Sequence, residues 1–281
     1  MHNTTILTPA TLPSLARRVS DCHKGLLGHA LIVAGGAGMG GASLLAAQSC
    51  LRLGAGLVSL ATWPEHVSAS LARQPEIMVR AVLQAAELQP LLVQASVVLV
   101  GPGLGQDDWA TSLLAAVACT EVAQIWDADA LNLLAQDYRR RPTQSAWILT
   151  PHPGEAARLL NCSVTEIQAQ REQSALSIAH KYQAVVVLKG AHTVIANSEQ
   201  RICLCQQGHP VMAGAGFGDV LGGVIAALVA QGMELFEACC LAVYIHAKAG
   251  EKLAVYGRGA AAGDLLAPMR QELEQLCPIT G

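Results

Sequence analysis

Six short runs, "ALIVAGG" near Ala30, "GLVSLAT" near Gly56, "ASVVLVGPG" near Ala95, "VAQIWDAD" near Val122, "SAWILTPHPGE" near Ser145 and "AVVVLKG" near Ala184, are rich in Val, Ile and Leu and largely apolar on both faces. A strand that is apolar on both faces has to be covered on both, which is the situation of a parallel sheet between two helical layers. Helix-length stretches such as "GGASLLAAQSCLRLG" and "SVTEIQAQREQSALSIAHKY" follow most of these runs, so strand and helix alternate as that architecture requires. "VVVLKGAHTVIAN" and "RICLCQQG" stand at hairpin spacing, which predicts an antiparallel edge. From Gly216 onward the chain reads as two or three helices, with glycine-bearing junctions at "AQGME" and "YGRGAAAGD". The expectation is one α/β domain over residues 1–281, with a mostly parallel central sheet.

Composition narrows the function classes. Hydrophobic residues make up 52% of the chain, against 14% charged and 4% aromatic, which suits aliphatic packing of helices on a buried sheet. A net charge of −3 supplies no broad basic field for a nucleic-acid backbone or an anionic membrane. The run Arg139, Arg140, Arg141 before Pro142 reads as a solvated helix end. The first residues, "MHNTTILTPATLPSLARRVSDCHKG", lack a basic start followed by an apolar core, and no apolar run reaches the roughly 18 residues of a membrane helix. Nine scattered cysteines, an odd number in a long chain, read as buried thiols rather than a disulfide framework or a zinc site. A cytoplasmic location follows as an expectation.

Glycine-rich turns follow the strands: "GGAGMGG", "GPGLG" and "KGAHT". In an open parallel sheet the carboxyl ends of the strands share one edge, so these turns should gather in one crevice. The stretch "MAGAGFGDVLGGVIAALVAQG" adds a glycine loop entering an apolar helix. Free N–H groups with a helix dipole behind them suit phosphate oxygens, and Asp219 in the first turn suits a general base or, more simply, a favourable charge at its helix N-terminus. His152, between two prolines after a strand, suits a ligand-contacting imidazole, while Pro153 and Glu155 fit an ordinary first helical turn. Asp127 and Asp129 flank Ala128 at a strand end, where they can cap a helix or lie near a magnesium-bound phosphate. Lys189 ends a strand and can reach a nucleotide phosphate or extend to solvent. No GxxxxGK[ST] occurs, which excludes a P-loop.

Taken in order, "GGAGMGGA", "VGPGLG", "DADALNLL", "LTPHPGEAARLL", "VLKGAHTVIA" and "GFGDVLGGVIAAL" resemble the NAD(P)H-hydrate dehydratase family from about His29 to about Gly250. The resemblance implies a ribokinase-like fold, a three-layer α/β/α sandwich. It implies dehydration of the damaged cofactors NADHX and NADPHX to NADH and NADPH, driven by ADP in bacterial members and by ATP in animal and fungal relatives, with Mg²⁺ assisting. By position it implies that Ala42, Gly103, His152 and Asp219 contact the hydrated nicotinamide nucleotide. Lys189, Gly190, Ala191, His192 and Thr193, with Gly218, would hold the adenine nucleotide, and Asp219 would activate the substrate hydroxyl. No residue is assigned as a metal ligand. A homo-oligomer, as in tetrameric relatives, is expected, with "ELFEACCLAVYIHAKAG" either supplying its interface or, equally, buried inside the monomer. A length of 281 residues leaves no room for the epimerase domain that many bacterial relatives carry, so a separate epimerase is expected.

This chain departs from the family where members read close to "GNPGMATGGTGD": His209, Val211, Gly214, Ala215 and Phe217 stand in place of Asn, Gly, Thr or Ser, Gly, and Thr or Met. The loop's hydroxyl is missing, and alanine does not take the positive φ that glycine takes cheaply, which bears on affinity or nucleotide preference. Two rivals remain: a vitamin kinase of the same fold, and a nucleotide-sensing protein whose loop has decayed.

Overall fold

The computed structural model describes residues 4–142 and 146–279, so Ser145 lies outside the described residues. Ten strands form one sheet: β1 (Thr5–Ile6), β2 (His29–Val33), β3 (Leu57–Thr62), β4 (Met78–Ala81), β5 (Val97–Val100), β6 (Ala123–Trp126), β7 (Trp147–Leu149), β8 (Val185–Leu188), β9 (Thr193–Ala196) and β10 (Ile202–Cys205). Their order is β1-β10-β9-β8-β7-β6-β5-β2-β3-β4. From β4 to β8 every neighbouring pair is parallel, while β9 runs antiparallel to both β8 and β10. The six predicted strands and the antiparallel edge are all present.

Two edge elements escaped the sequence pattern. β4 buries only Val79 of its four residues, and β1 is two residues long, so neither carries an apolar run. Edge strands have one side and often one face in solvent, which removes the hydrophobic signature.

The helices are α1 (Gly40–Arg52), α2 (Val67–Arg73), α3 (Gln89–Leu92), α4 (Asp108–Ala118), α5 (Asp129–Gln136), α6 (Pro153–Leu160), α7 (Val164–Ala169), α8 (Arg171–Tyr182), α9 (Phe217–Ala230), α10 (Leu235–Leu253) and α11 (Leu266–Leu276). Successive strand residues point to opposite faces, and the core divides accordingly. Ala30, Ile32, Val97, Leu99, Ile125, Val185 and Val187 pack toward α1, α9, α10 and α11. Leu31, Val33, Val98, Val100, Trp126, Val186 and Leu188 pack toward α4, α5, α6 and α8. Three layers result. The stretch "SVTEIQAQREQSALSIAHKY" is two helices rather than one, broken at Gln170 (φ −140°, ψ 53°).

α9 is buried over nearly its whole length, in the layer that covers the sheet together with α1 and α10. Its approach to α1 is close enough to require glycine. A Cβ on Gly223 would lie 2.1 Å from the Ala46 carbonyl oxygen and 2.1 Å from Ser49 Oγ. Gly223→Ala is therefore expected to destabilise the fold by about 1–3 kcal/mol through overpacking, despite alanine's better helix propensity. A urea midpoint equal to that of the parent would reject this packing.

α10 decides between the two readings of its apolar stretch. Phe236, Cys239, Cys240, Leu241, Val243, Tyr244 and Ile245 are buried within the chain's own core, so the apolar residues of "ELFEACCLAVYIHAKAG" cover the monomer's sheet and do not form a free interface. The exposed large apolar side chains nearby are Val255 and Tyr256. All nine cysteines are free thiols. Among the described residues no helix is long and apolar enough to cross a membrane.

Candidate active site

Strand order reverses at β2, which has β3 on one side and β5 on the other, and the turns after β2 and β5 are stitched together there. Gly35 N donates to the Pro102 carbonyl at 3.0 Å and Gly36 N to the Gly103 carbonyl at 2.7 Å. Gly103 has φ 55°, and a Cβ on it would stand 3.1 Å from Ala42 Cβ and 2.9 Å from Met39 Cβ. Ala42, in the first turn of α1, and Gly103 therefore face each other across a gap that admits no larger side chain. Such a reversal point is where open α/β sheets hold ligands.

Further along the same edge, β6, β7 and β8 deliver Asp127, His152 and Lys189. The chain leaves β6 through Ala128, whose backbone (φ 48°, ψ −114°) lies in a region that costs a residue with a side chain about 1–3 kcal/mol. The strained residue sits between the two acids and separates their roles. Asp129 accepts from Gly105 N at 2.9 Å and Gln106 Nε2 at 3.3 Å, so it braces the "GPGLG" turn. Asp127 is almost fully buried, and its Oδ1 accepts from Lys189 Nζ at 2.6 Å. Neither carboxylate caps α5, which has no side-chain cap.

Lys189 is the centre of this cluster. Its Nζ is 4.0 Å from Glu155 Oε2, and a Cβ on Gly218 would be 3.4 Å from it. Burial alone would pull the ammonium down, but Asp127 and Glu155 outweigh that and hold it above its ordinary value. Asp127 and Glu155 thus share one ammonium, with Asp219 a more distant electrostatic neighbour. Burial pushes Glu155 up to about 7, with Lys189 opposing and the Asp127 charge adding to the rise. Asp219 is pushed up to about 6 by burial and the Asp127 charge, against the pull of Lys189.

His152 is held by its own helix. As the residue before α6, it accepts at Nδ1 from Gly154 N (2.9 Å) and Glu155 N (3.4 Å), while Glu155 Oε2 accepts from His152 N at 2.7 Å. Nδ1 being an acceptor, the proton sits on Nε2, 3.3 Å from Glu155 Oε1. Burial, Lys189 and Arg158 lower the imidazole's pKa, so this contact joins a neutral N–H to a carboxyl group. Half of the side chain stays exposed toward the crevice's mouth (50%). The first-turn role of Glu155 is real, yet its carboxyl group also belongs to the cluster.

The glycine loop completes the site. From Gly214 to Asp219 no backbone N–H has an acceptor among the described residues, the first intrahelical bond being Val220 N to the Gly216 carbonyl. Only Gly216 in this loop takes a positive φ, 87°, where a Cβ would stand 2.6 Å from Leu45 Cδ1. Ala215 is not asked for the left-handed conformation, which removes the backbone objection to it. The Phe217 ring is buried in the core, and a Cβ on Gly214 would touch its Cε2 at 3.2 Å, so the phenyl group supports the bend from below. His209 supplies a cap of its own, its Nδ1 accepting from Val211 N at 3.1 Å. The Asp219 carboxylate accepts no hydrogen bond among the described residues.

Lys189, Gly218 and Asp219 are thus brought together with His152, and Ala42 and Gly103 pair at the β2/β5 junction. Thr193 Oγ1 closes the turn between Lys189 and Thr193 by donating to the Gly190 carbonyl at 2.9 Å. His246 on α10 was not foreseen. Its Nε2 is 2.9 Å from the Phe217 carbonyl, and burial lowers it to about 4, so it is a neutral donor that fixes the first turn of α9. Its only sequence signal was a lone histidine in an apolar helix.

Comparison with known proteins agrees with this geometry. The family model described as NAD(P)H-hydrate dehydratase matches residues 30–269. A bifunctional NAD(P)H-hydrate repair enzyme from Coxiella burnetii is 47% identical over 260 residues, 92% of this chain and 53% of that protein. An ADP-dependent (S)-NAD(P)H-hydrate dehydratase from Neisseria meningitidis is 39% identical over 243 residues, 83% of this chain and 80% of that protein. The crystal structure of the ADP/ATP-dependent NAD(P)H-hydrate dehydratase from Bacillus subtilis, co-crystallized with ATP/Mg²⁺, superimposes with a TM-score of 0.85 at 29% identity, covering 98% of this chain and 99% of that one. The chain spans about half the length of the bifunctional relatives it matches. Its sequence, its ribokinase-like layers and the reach of the family match agree, and the chain belongs to the NAD(P)H-hydrate dehydratase family.

Proposed function

We propose that this protein uses ADP to dehydrate (6S)-NADHX and (6S)-NADPHX, restoring NADH and NADPH. The observation that carries the reading is Asp219, a partly buried carboxylate without a hydrogen-bond donor of its own, placed at the end of a row of unpaired amides. Asp219 takes the proton of the hydrate's hydroxyl as that oxygen attacks the terminal phosphorus of ADP, and the bond from that phosphorus to the bridging oxygen breaks so that AMP leaves. The amides of Gly214–Asp219 hold the phosphoryl oxygens as charge shifts between them. Phosphate then leaves with the C–O bonding pair, pushed by the ring nitrogen, and a ring proton is lost as the double bond re-forms. Ala42, Gly103 and His152 position the nicotinamide half; Lys189 to Thr193 and Gly218 hold the adenine nucleotide.

Mg²⁺ takes one or two protein carboxylates and completes its shell with phosphate and water. Among the described residues no three His, Cys, Asp or Glu side chains gather to hold an ion alone. The carboxyl groups near the Lys189 ammonium fit an ion that arrives on the nucleotide with its shell completed by phosphate and water, which leaves Asp219 free to act as the base. Bound there, Mg²⁺ would neutralise charge on the transferred phosphoryl group.

The same reading places the protein in the cytoplasm as a homotetramer and takes residues 1–281 as one dehydratase unit. Purified protein supplied with ADP, Mg²⁺ and NADHX should return the absorbance of NADH and release inorganic phosphate. Accumulation of a stable phosphate ester would instead make it a kinase, and ADP binding without turnover would make it a sensor.

A further inference from the structure

Arg171 occupies a position that folding alone disfavours in three ways. The break at Gln170 makes it the first residue of α8, so a cation stands at the positive end of a helix dipole. It has no carboxylate within ion-pair distance among the described residues, and burial lowers its pKa. Its Nε is shielded from solvent and has no hydrogen-bond partner. A half-buried charge without a counter-ion is costly, and a neutral side chain would avoid that cost.

One terminal nitrogen of the guanidinium, Nη1, donates to Gln168 Oε1 on α7 at 2.8 Å, and the other faces the turn after β8. Nη2 donates to the carbonyls of Leu188 (2.9 Å), Lys189 (3.2 Å) and His192 (3.4 Å), which ties the end of β8 to the turn that follows. Gly190 lies directly over it, at φ 133°, where a Cβ would be 3.3 Å from both terminal nitrogens. With three carbonyls of the segment engaged, the backbone N–H groups of Gly190, Ala191 and His192 have no acceptor among the described residues, and all three residues are exposed. An exposed turn with unpaired amides and a cation without a counter-ion against it is built for an anion.

We propose that Arg171 is a positioning residue that sets the affinity of the turn from Lys189 to Thr193 for the phosphate groups of ADP, holding the turn's shape through its carbonyls and supplying positive charge from beneath. The inference rests on the reading of that turn as the nucleotide site. It assigns Arg171 no contact with the reacting atoms, so turnover at saturating ADP should be nearly unaffected.

The test is calorimetric titration of ADP into the whole protein without hydrate, beside kinetics with it. Arg171→Gln keeps donors for the carbonyls and removes the charge; it should weaken ADP binding about tenfold, flatten the salt dependence of binding, and leave kcat within about twofold. Arg171→Lys, which keeps the charge, should recover part of the lost affinity. Arg171→Met tests the loss of both, and if it does not fold, the glutamine and lysine variants still decide. ADP affinity unchanged in Arg171→Gln, or a fall in kcat with affinity intact, would overturn the proposal. A parent protein that binds ADP but does not dehydrate the hydrate would refute the functional reading and leave this one standing; a parent that binds no ADP would refute both.

Discussion

Asp219→Asn should lower turnover about 10²-fold or more, as expected when a positioned base is removed, and should at the same time raise the melting temperature. The second effect follows from the sign of the shift. The folded protein holds this carboxyl group above its ordinary range, up to about 6, through burial and the neighbouring Asp127 charge, so folding favours the protonated form. That contribution is fully present below the ordinary carboxylate range and is lost as pH rises through about 6. At neutral pH the ionised side chain therefore opposes folding, by about 1–3 kcal/mol, and an uncharged amide does not. For the parent enzyme the same shift predicts an acid limb in kcat/KM near pH 6, where the base becomes protonated. Kinetics and thermal unfolding on one preparation check both effects. A variant that keeps its activity, or that melts lower at neutral pH, would contradict the assignment.

Lys189→Met is expected to destabilise the protein by about 3–5 kcal/mol, because it leaves the Asp127 carboxylate buried without its partner. The pair is deep, with 18% of the lysine side chain and 2% of the aspartate side chain exposed, so solvent screens it little. Adding Asp127→Asn in the same chain should recover much of the loss, since a neutral amide tolerates the site better than a lone charge. Lys189 also opposes the rise of Asp219, so any activity left in the single variant should show its acid limb moved to higher pH. Guanidinium unfolding of both variants measures the first claim and the pH profile the second. Equal stability of single and double variants would mean that Asp127 does not depend on the ammonium.

Which parts of this arrangement were legible in the sequence follows from where each signal resides. The strands from β2 to β8, β4 apart, announce themselves because burial on both faces demands unbroken aliphatic runs. β4 and β1 are silent because an edge strand needs no such run. Asp219, Lys189 and His152 stand out because polar residues directly after buried strands, or in the first turn of an apolar helix, have few structural excuses. Asp127 and Asp129 were indistinguishable on paper: two acids flanking an alanine have the same composition whichever way each points, and only the strained backbone at Ala128 separates them. Glu155 was hidden behind a correct explanation, since a capping carboxylate can also be an electrostatic neighbour. Arg171 was concealed by a helix break at Gln170 that contains neither glycine nor proline.

The burial of α9 on almost every side has a consequence for how the catalyst ages and fails. A hinged cover can loosen while the body of an enzyme stays intact, but the amides proposed to hold phosphate are the leading end of a rod clamped in the hydrophobic interior. Heat inactivation should therefore coincide with global melting, without an earlier stage in which a folded protein has lost its grip on nucleotide. Durability of function and durability of the core become one property, and substitutions that tighten the contact between α1 and α9 should prolong both.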